Sequence, residues 1–225
     1  MKKFWLIALA AGMTGCQTAP KTEAPKAAAA PAAPKTAAPD DRPVIACFGD
    51  SLTAGFGLDP GESFPDLLQK DLDARGHRYR VANLGISGDT TQDGLERLPL
   101  VIAEKPAIVL LELGANDGLR GQPLANTASN LSRMIEELQK SGATVVLAGL
   151  TLPPNYGADY IRKFDQMFRD LAAKYKVTLI PFLLEGVGGK AQLMQKDGLH
   201  PNPAGTRIVE SIVRKTLEPL LKKGA

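Results

Sequence analysis

The residues best suited to chemistry are a serine and a histidine that lie far apart in the chain. Ser51 follows the apolar run Val44 to Phe48, and Gly49-Asp50 supply a small residue and a turn that lift its hydroxyl away from that run. Asp197 and His200 are three residues apart, which lets the carboxylate orient the imidazole and stabilise its protonated form. A hydroxyl, a base and an orienting carboxylate are the parts of a nucleophilic acyl-transfer site. A serine alone at such a turn is more often a helix cap.

The other histidine and the two cysteines fit structural roles better. His77 lies in a polar turn before the second predicted strand, at the wrong end of the sheet, and is expected to be a solvated loop residue. Cys47 lies inside an apolar run and reads as a small buried hydrophobe. Two cysteines and two histidines offer too few ligands for a metal cluster or a disulfide framework. We therefore expect neither a metal cluster nor a disulfide framework.

The elements that must position these residues form a repeating pattern of short strands and helices. Five β-rich segments are Val44 to Phe48, Tyr79 to Asn83, Ile108 to Leu113, Thr144 to Gly149 and Val177 to Pro181. Between and after them, helical stripes are formed by Leu131, Met134, Ile135 and Leu138, by Ile161, Phe164, Phe168 and Leu171, and by Ile208, Val209, Ile212 and Val213 within Pro203 to Leu221. The alternation predicts a parallel sheet with helices on both faces and a site at the carboxyl ends of its strands.

Composition limits the remaining possibilities. The chain has 225 residues and 44% hydrophobic residues, enough for one domain with a sizeable core. Its net charge of +3 resides in residues 1–42, because residues 43–225 carry 21 basic and 21 acidic residues. A neutral domain with 5% aromatic residues lacks the charge pattern of a nucleic-acid-binding protein. The glycine clusters at Gly55 to Gly61 and Gly186 to Ala191 match neither nucleotide-binding spacing.

The first residues read as an export signal followed by a tether. Lys2-Lys3 precede the apolar run Phe4 to Ala11, which is too short to span a bilayer. Met13 to Cys16 resembles the lipobox of bacterial lipoproteins, which implies a lipid anchor on Cys16, and Gln17 favours the outer membrane. The alternative is cleavage near Ala8-Leu9-Ala10 and a soluble periplasmic protein. A Cys16–Cys47 disulfide would require an unlipidated Cys16.

Residues 17–42 contain ten Ala and five Pro and no large apolar residue, so we expect a disordered tether. The predicted organisation is a signal peptide at 1–16, a tether at 17–42 and a catalytic domain at 43–225.

Four ordered blocks between Val44 and about Leu221 resemble the SGNH (GDSL) hydrolase family, and within it the bacterial periplasmic thioesterase, lysophospholipase and arylesterase group. They are Gly49 to Leu52, Asn83 to Thr90, Glu112 to Gly118 and Asp197 to His200. The resemblance implies a three-layer α/β/α sandwich with a five-stranded, flavodoxin-like parallel sheet. Ala115 stands where the group often has a second glycine.

The resemblance also assigns roles. It implies a triad of Ser51, Asp197 and His200, and an oxyanion hole from the backbone N–H groups of Ser51 and Gly88 and the side-chain amide of Asn116. Glycine lets a substrate approach the backbone, and an amide is a neutral donor, so the two residue types suit the task. Asp50 and Asp89 are read as acceptors that stabilise loops.

A further loop, Leu152 to Gly157, resembles the mobile loop beside the family's acyl-binding groove. This makes Pro154, Asn155 and Tyr156 candidate substrate contacts, with an ordinary Pro/Gly connection as the alternative.

The predicted function is a cofactor-independent serine esterase acting on small acyl esters, thioesters or lysophospholipids through an acyl-Ser51 intermediate. One alternative is a carbohydrate deacetylase of the same fold. A groove lined with polar and aromatic residues would favour this alternative, and an apolar groove would favour a lipid substrate. The other is a non-catalytic surface lipoprotein that uses an inherited pocket for binding. Expected partners are the substrate and, through Cys16, a membrane, but no nucleic acid.

Overall fold

Strands and helices alternate in the computed structural model, which describes residues 40–222. The strands are β1 (Val44–Gly49), β2 (Arg80–Gly85), β3 (Ile108–Glu112), β4 (Thr144–Ala148) and β5 (Thr178–Ile180). The helices are α1 (Ser51–Ala54), α2 (Phe64–Ala74), α3 (Thr91–Ala103), α4 (Ala115–Leu119), α5 (Leu124–Lys140), α6 (Ala158–Tyr175) and α7 (Pro203–Leu217). Short 3₁₀ helices cover Pro154–Tyr156, Ala191–Leu193 and Glu218–Leu220.

The five strands form one parallel sheet in the order β2-β1-β3-β4-β5. Because β2 lies on one side of β1 and β3 on the other, the winding reverses after β2, and right-handed connections place helices on both faces. Helix α2 packs against α7, whereas α5 packs against both α3 and α6. This arrangement confirms the predicted three-layer, flavodoxin-like α/β fold.

The core lies on both faces of the central strands. Every residue of β1 and β3 is buried, as expected for strands that helices cover on both sides. The predicted stripe of α5 is wholly buried, and in α6 Phe164, Phe168 and Leu171 are buried while Ile161 is partly so. One buried residue breaks the apolar pattern: Glu112 ends β3 with no exposed surface.

The structure differs from the prediction mainly at the ends of elements. Strand β5 stops at Ile180 because Pro181 has no N–H to donate to a ladder. Helix α7 stops at Leu217, where the prediction had continued to Leu221, and Pro219 cannot make the next helical hydrogen bond. The apolar stripe predicted for α7 included too many residues. Val209 and Val213 face the core, whereas Ile208 is 36% exposed. Within residues 40–222, no helix has the length and apolarity needed to cross a bilayer.

Candidate active site

The candidate residues collect at one edge of the sheet. All five strands are parallel, so their carboxyl ends meet at that edge. Ser51 follows β1, Gly88 follows β2 and Asn116 follows β3. Asp197 and His200 lie in the loop that leads into α7. The structure therefore brings together residues that are up to 149 positions apart in the chain.

Ser51, His200 and Asp197 form a continuous hydrogen-bonded chain. His200 Nδ1 lies 2.7 Å from Asp197 Oδ2, and His200 Nε2 lies 2.8 Å from Ser51 Oγ. A carboxylate only accepts hydrogen bonds, so the ring proton resides on Nδ1 and Nε2 is left to accept the Ser51 O–H. The arrangement prepares the serine hydroxyl to lose its proton to His200.

Asp197 is fixed by backbone as well as by the ring. Its Oδ1 accepts hydrogen bonds from the N–H groups of Leu199 at 2.9 Å and His200 at 3.0 Å. Desolvation raises the pKa of Asp197, but the His200 ring and these two N–H groups outweigh it, so the pKa lies below its ordinary value. The carboxylate therefore stays ionised at neutral pH and holds the imidazole tautomer.

The histidine loop is tied to the turn after the nucleophile. Gln195 N–H donates to the His200 carbonyl at 2.7 Å, and its side-chain amide donates to the carbonyls of Phe56 at 2.7 Å and Pro201 at 2.9 Å. The Phe56 ring packs on the His200 ring with centroids 4.6 Å apart. These contacts set the position of the base relative to Ser51.

The nucleophile turn depends on one glycine and two acidic residues. Asp50 caps α1 by accepting from Leu52 N–H at 3.0 Å, which explains why the helix begins at Ser51. A Cβ on Gly49 would overlap Thr53 Oγ1 and Glu112 Oε2, so only glycine fits there. Glu112 Oε2 accepts from Thr53 Oγ1 at 2.7 Å and from Asp50 N–H at 3.2 Å.

Asp50 and Glu112 form a buried acidic pair beneath Ser51. Burial raises the pKa of Asp50 to about 6, opposed by hydrogen bonds. Burial and the neighbouring Asp50 charge raise the pKa of Glu112 well above its ordinary value. Glu112 Oε1 is buried and has no hydrogen-bond partner in the described part of the chain. Burial therefore favours the neutral carboxylic acid of Glu112 over its charged form. The family resemblance implies no role for Glu112, and its signal in the sequence is a charged residue at the end of an apolar strand.

The three candidate oxyanion donors differ in whether they already donate a hydrogen bond within the protein. The N–H groups of Ser51 and Gly88 have no acceptor within residues 40–222. Gly88 has a φ of +90°, a conformation that favours glycine. Asn116 Nδ2, in contrast, donates to Asp50 Oδ2 at 3.1 Å and to the Asp89 carbonyl at 2.9 Å. Its amide is held in place, and an oxyanion would have to share one of its two hydrogens.

An apolar groove of about 450 Å³ opens beside Ser51. Its wall includes Asn116 and His200 and is otherwise formed mostly by apolar side chains, among them Leu119, Leu150, Leu152, Phe182, Leu184 and Met194. The volume lies within the range of small-molecule sites. Such a wall suits an acyl chain and has few of the polar and aromatic groups that a sugar needs.

Only part of the predicted loop faces this groove. Pro154 contributes to the wall, together with Pro153 before it. Asn155 is exposed and is not part of the wall. Tyr156 instead donates its hydroxyl to the Leu119 carbonyl at 2.8 Å. Tyr156 thus joins the loop after β4 to the end of α4, which forms another part of the wall.

The residues given structural roles lie away from the reacting atoms. His77 precedes β2, at the opposite edge of the sheet from Ser51. Cys47 is a free, fully buried thiol in β1, and burial raises its pKa far above the ordinary range. No group of three or more His, Cys, Asp or Glu side chains in residues 40–222 is placed to hold a metal ion. Cys16 lies outside the described residues.

Comparison with known proteins places this geometry in a family. Residues 47–208 match the GDSL-like Lipase/Acylhydrolase family. Esterase TesA of Pseudomonas aeruginosa is 50% identical over 175 residues, 77% of this chain and 87% of that protein. An arylesterase of Vibrio mimicus is 44% identical over 77% of this chain and 87% of its own. Thioesterase 1/protease 1/lysophospholipase L1 of Escherichia coli is 38% identical over 79% of this chain and 84% of that protein.

Solved structures agree with the sequence relatives. A crystal structure of TesA superposes with a TM-score of 0.77 at 47% identity, covering 79% of this chain and 99% of that one. The psychrotrophic esterase EstA from Pseudoalteromonas sp., in a structure inhibited by monoethylphosphonate, gives a TM-score of 0.75 at 34% identity, covering 79% and 97%. From its fold, its ordered sequence blocks and these matches, the chain belongs to the GDSL-like lipase/acylhydrolase family.

Proposed function

We propose that the chain is a serine esterase in which Ser51 is the nucleophile, His200 the general base and Asp197 the residue that orients it. The observation that carries the proposal is the chain of hydrogen bonds from Asp197 through His200 to Ser51, at 2.7 and 2.8 Å. Each link has the length of a working hydrogen bond in a triad. The names of the relatives, all esterases or thioesterases, support the same reaction class.

The reaction proceeds in two halves. His200 Nε2 takes the proton of Ser51 as Oγ attacks the substrate carbonyl, and the carbonyl oxygen becomes negative. The carbon–oxygen or carbon–sulfur bond to the leaving group then breaks, and His200 returns the proton to that group. Water next attacks the acyl-Ser51 carbonyl with His200 again taking a proton, and the acid leaves as the proton returns to Ser51. Asp197 stays ionised throughout and stabilises the imidazolium.

The proposed oxyanion hole combines two free backbone donors with one side-chain donor. The N–H groups of Ser51 and Gly88 meet the developing charge without losing an existing hydrogen bond. Asn116 must share a hydrogen that Asp50 or Asp89 accepts, so its donation strengthens only when the oxygen carries charge. Replacing Asn116 with Ala is expected to lower kcat by about 10²–10³ with little change in KM. An unchanged kcat in a normally folded variant would remove Asn116 from the hole.

The proposed substrates are acyl esters, thioesters or lysophospholipids. The apolar wall of the groove beside Ser51 supports an acyl chain there. The same wall argues against the carbohydrate deacetylase, whose substrate would leave these side chains unmatched. No observation favours a non-catalytic binding role, because the nucleophile, base and carboxylate are all present and connected.

A panel of p-nitrophenyl esters from acetyl to dodecanoyl, with acyl-CoA, lysophospholipid and acetylated sugars, tests the substrate class. Each methylene buried in the groove is worth about 0.8 kcal/mol, so kcat/KM should rise about fourfold per methylene until the groove is filled. Phe182→Ala should weaken this preference, whereas Leu100→Ala, on an exposed part of α3, should leave it unchanged. A preference for acetylated sugars, or a panel inactive in wild type, would contradict the proposal.

We also propose that the chain is exported and anchored through a lipid on Cys16. The sequence Lys2 to Cys16 supports this, and residue 16 lies outside the described structure. Protein purified from the native envelope should have the mass of a lipidated chain that begins at Cys16, and it should lack the fluorescence of Trp5, the one tryptophan. A mature species that retains Met1, or a Cys16→Ser protein that stays membrane-bound, would contradict the anchor.

A further inference from the structure

Arg97, in α3, connects the turn of Ser51 with the loop of Gly88. Its Nε donates to Asp89 Oδ2 at 2.6 Å, its Nη1 to the Leu84 carbonyl at 2.7 Å and its Nη2 to the Gly49 carbonyl at 2.8 Å. The guanidinium also lies over the Phe48 ring, 4.5 Å from its centroid. The Arg97 side chain is only 14% exposed and that of Asp89 12%. One side chain therefore spans the ends of β1 and β2 and the loop after β2.

The residues that Arg97 binds are near Ser51 and Gly88 in sequence, and one of them is hydrogen-bonded to Asn116. Gly49, whose carbonyl it binds, is two residues before Ser51. Asp89 follows Gly88 directly, and the Asp89 carbonyl accepts the Asn116 amide at 2.9 Å. A shift of the guanidinium would therefore move the Ser51, Gly88 and Asn116 donors relative to one another. The Asn116 amide makes a second link between the Ser51 turn and the Gly88–Asp89 loop, through Asp50 Oδ2 and the Asp89 carbonyl.

We propose that Arg97 is a positioning residue for the oxyanion hole, which it aligns by joining the Gly49 carbonyl to Asp89. The inference rests on the proposed function, since it needs Ser51, Gly88 and Asn116 to act together. Arginine suits this position because its planar guanidinium presents donors in fixed directions toward three separate acceptors. A lysine would keep the charge but not these directions. A buried ion pair such as Arg97–Asp89 does not by itself imply a more stable fold. We therefore assign Arg97 to the alignment of the oxyanion donors.

Arg97→Lys tests the proposal because it keeps the positive charge beside Asp89. Misalignment of about 1 Å can cost on the order of 10²-fold, so we expect kcat to fall about 10- to 100-fold. KM should change less than about twofold, because the apolar groove that binds the acyl chain is untouched. Arg80→Lys is the matched control: Arg80 pairs with Glu104 at 2.6 Å at the amino end of β2, and kcat should not change.

A double-mutant cycle with Asp89→Asn gives a second measure that does not depend on one variant. If Arg97 acts through Asp89, the combined loss of kcat should be smaller than the product of the two single losses. Circular dichroism and thermal unfolding give the folded fraction of each variant. The proposal is overturned if Arg97→Lys keeps wild-type kcat, or if its loss of rate equals its loss of folded protein.

The same assays separate this inference from the proposed function. Ser51→Ala should abolish turnover whatever Arg97 does. If Ser51→Ala keeps turnover, the proposed function fails, and Arg97 then has no oxyanion hole to align. If turnover depends on Ser51 but not on Arg97, only the further inference fails.

Discussion

At the scale of single residues, a buried carboxyl group stabilises the turn that carries the nucleophile but takes no direct part in the reaction. Glu112 is fully buried, and its Oε2 supports the Ser51 turn through Thr53 Oγ1 and Asp50 N–H. Desolvation is the largest cause of its raised pKa, so folding favours the neutral form of Glu112. A charged Glu112 would face Asp50 in a site with no cation among its hydrogen-bond partners.

This pair makes stability depend on pH in a defined direction. Folded-state pKa values above the ordinary ones mean that the folded protein binds more protons than the unfolded chain. The stabilisation is complete below about pH 4, where both states are protonated, and it declines as pH rises through the raised values. For Asp50 that window runs from about pH 4 to about 6. For Glu112 it starts near pH 4 and extends higher.

Glu112→Gln should therefore flatten the pH dependence of stability. Each extra bound proton gives a slope of about 1.4 kcal/mol per pH unit, and glutamine removes the Glu112 contribution. The measurement is the free energy of unfolding in urea between pH 4 and 8. Glu137→Gln, on an exposed helix face beside Lys140, is the control and should keep the wild-type slope. Equal slopes for Glu112→Gln and wild type would show that Glu112 is ionised.

The sequence revealed residues that share a motif and missed those that act through the fold. Ser51, Gly88, Asn116, Asp197 and His200 stand in short blocks, so their types and order pointed to one site. Arg97 donates to acceptors 8 to 48 residues away in the sequence. A local sequence pattern cannot predict contacts of that kind. The buried environment of Glu112 follows from the sheet and was not evident from the sequence block alone.

At the scale of elements, the loop that carries the base is held by the start of α7. Asn202 caps this helix, its Oδ1 accepting from the N–H groups of Ala204 and Gly205 at 3.0 Å each. Its Nδ2 donates to the Gln192 carbonyl at 2.9 Å. Asn202 thus joins α7 to the segment before Asp197, and His200 lies between these two anchors.

Asn202→Ala should lower the free energy of unfolding by about 1 kcal/mol through loss of the cap, within a range of about 0.5–2. For a domain of this size that lowers Tm by roughly 2–4 °C. Asn202→Asp keeps the cap acceptor but loses the donor to Gln192, so most of the stability should return. Thermal unfolding measures both. An Asp variant as unstable as the Ala variant would show that the Gln192 contact, and not the cap, matters.

Periodicity predicted which elements exist better than where they end. The five strands lie in the predicted places, and continuous apolar runs mark β1 and β3, which are buried on both faces. Their ends differ by one or two residues, and α7 is shorter by four. At β5 and α7 a proline ends the element although apolar residues continue. Ile208 shows the same limit, since helical spacing alone did not tell which of two adjacent apolar residues faces the core.

At the scale of the whole molecule, the site and the entry of the chain occupy opposite edges of the sheet. Residues 40–43 lead into the amino end of β1, whereas Ser51, Gly88 and Asn116 follow carboxyl ends. The order β2-β1-β3-β4-β5 places β1 between β2 and β3, so the three loops that carry the proposed donors are neighbours. That adjacency is a property of topology, and it explains why blocks distant in sequence form one site.

The central claim is that His200 activates Ser51 for attack, and the rate of fluorophosphonate labelling followed by intact mass tests it most directly. Wild-type protein should gain one adduct, located by peptide mapping to Ser51, and Ser51→Ala should gain none. His200→Ala should slow labelling by at least about 10³-fold, whereas His77→Ala, at the far edge of the sheet, should label at the wild-type rate. Labelling of Ser51→Ala, or equal rates for the two histidine variants, would contradict the account.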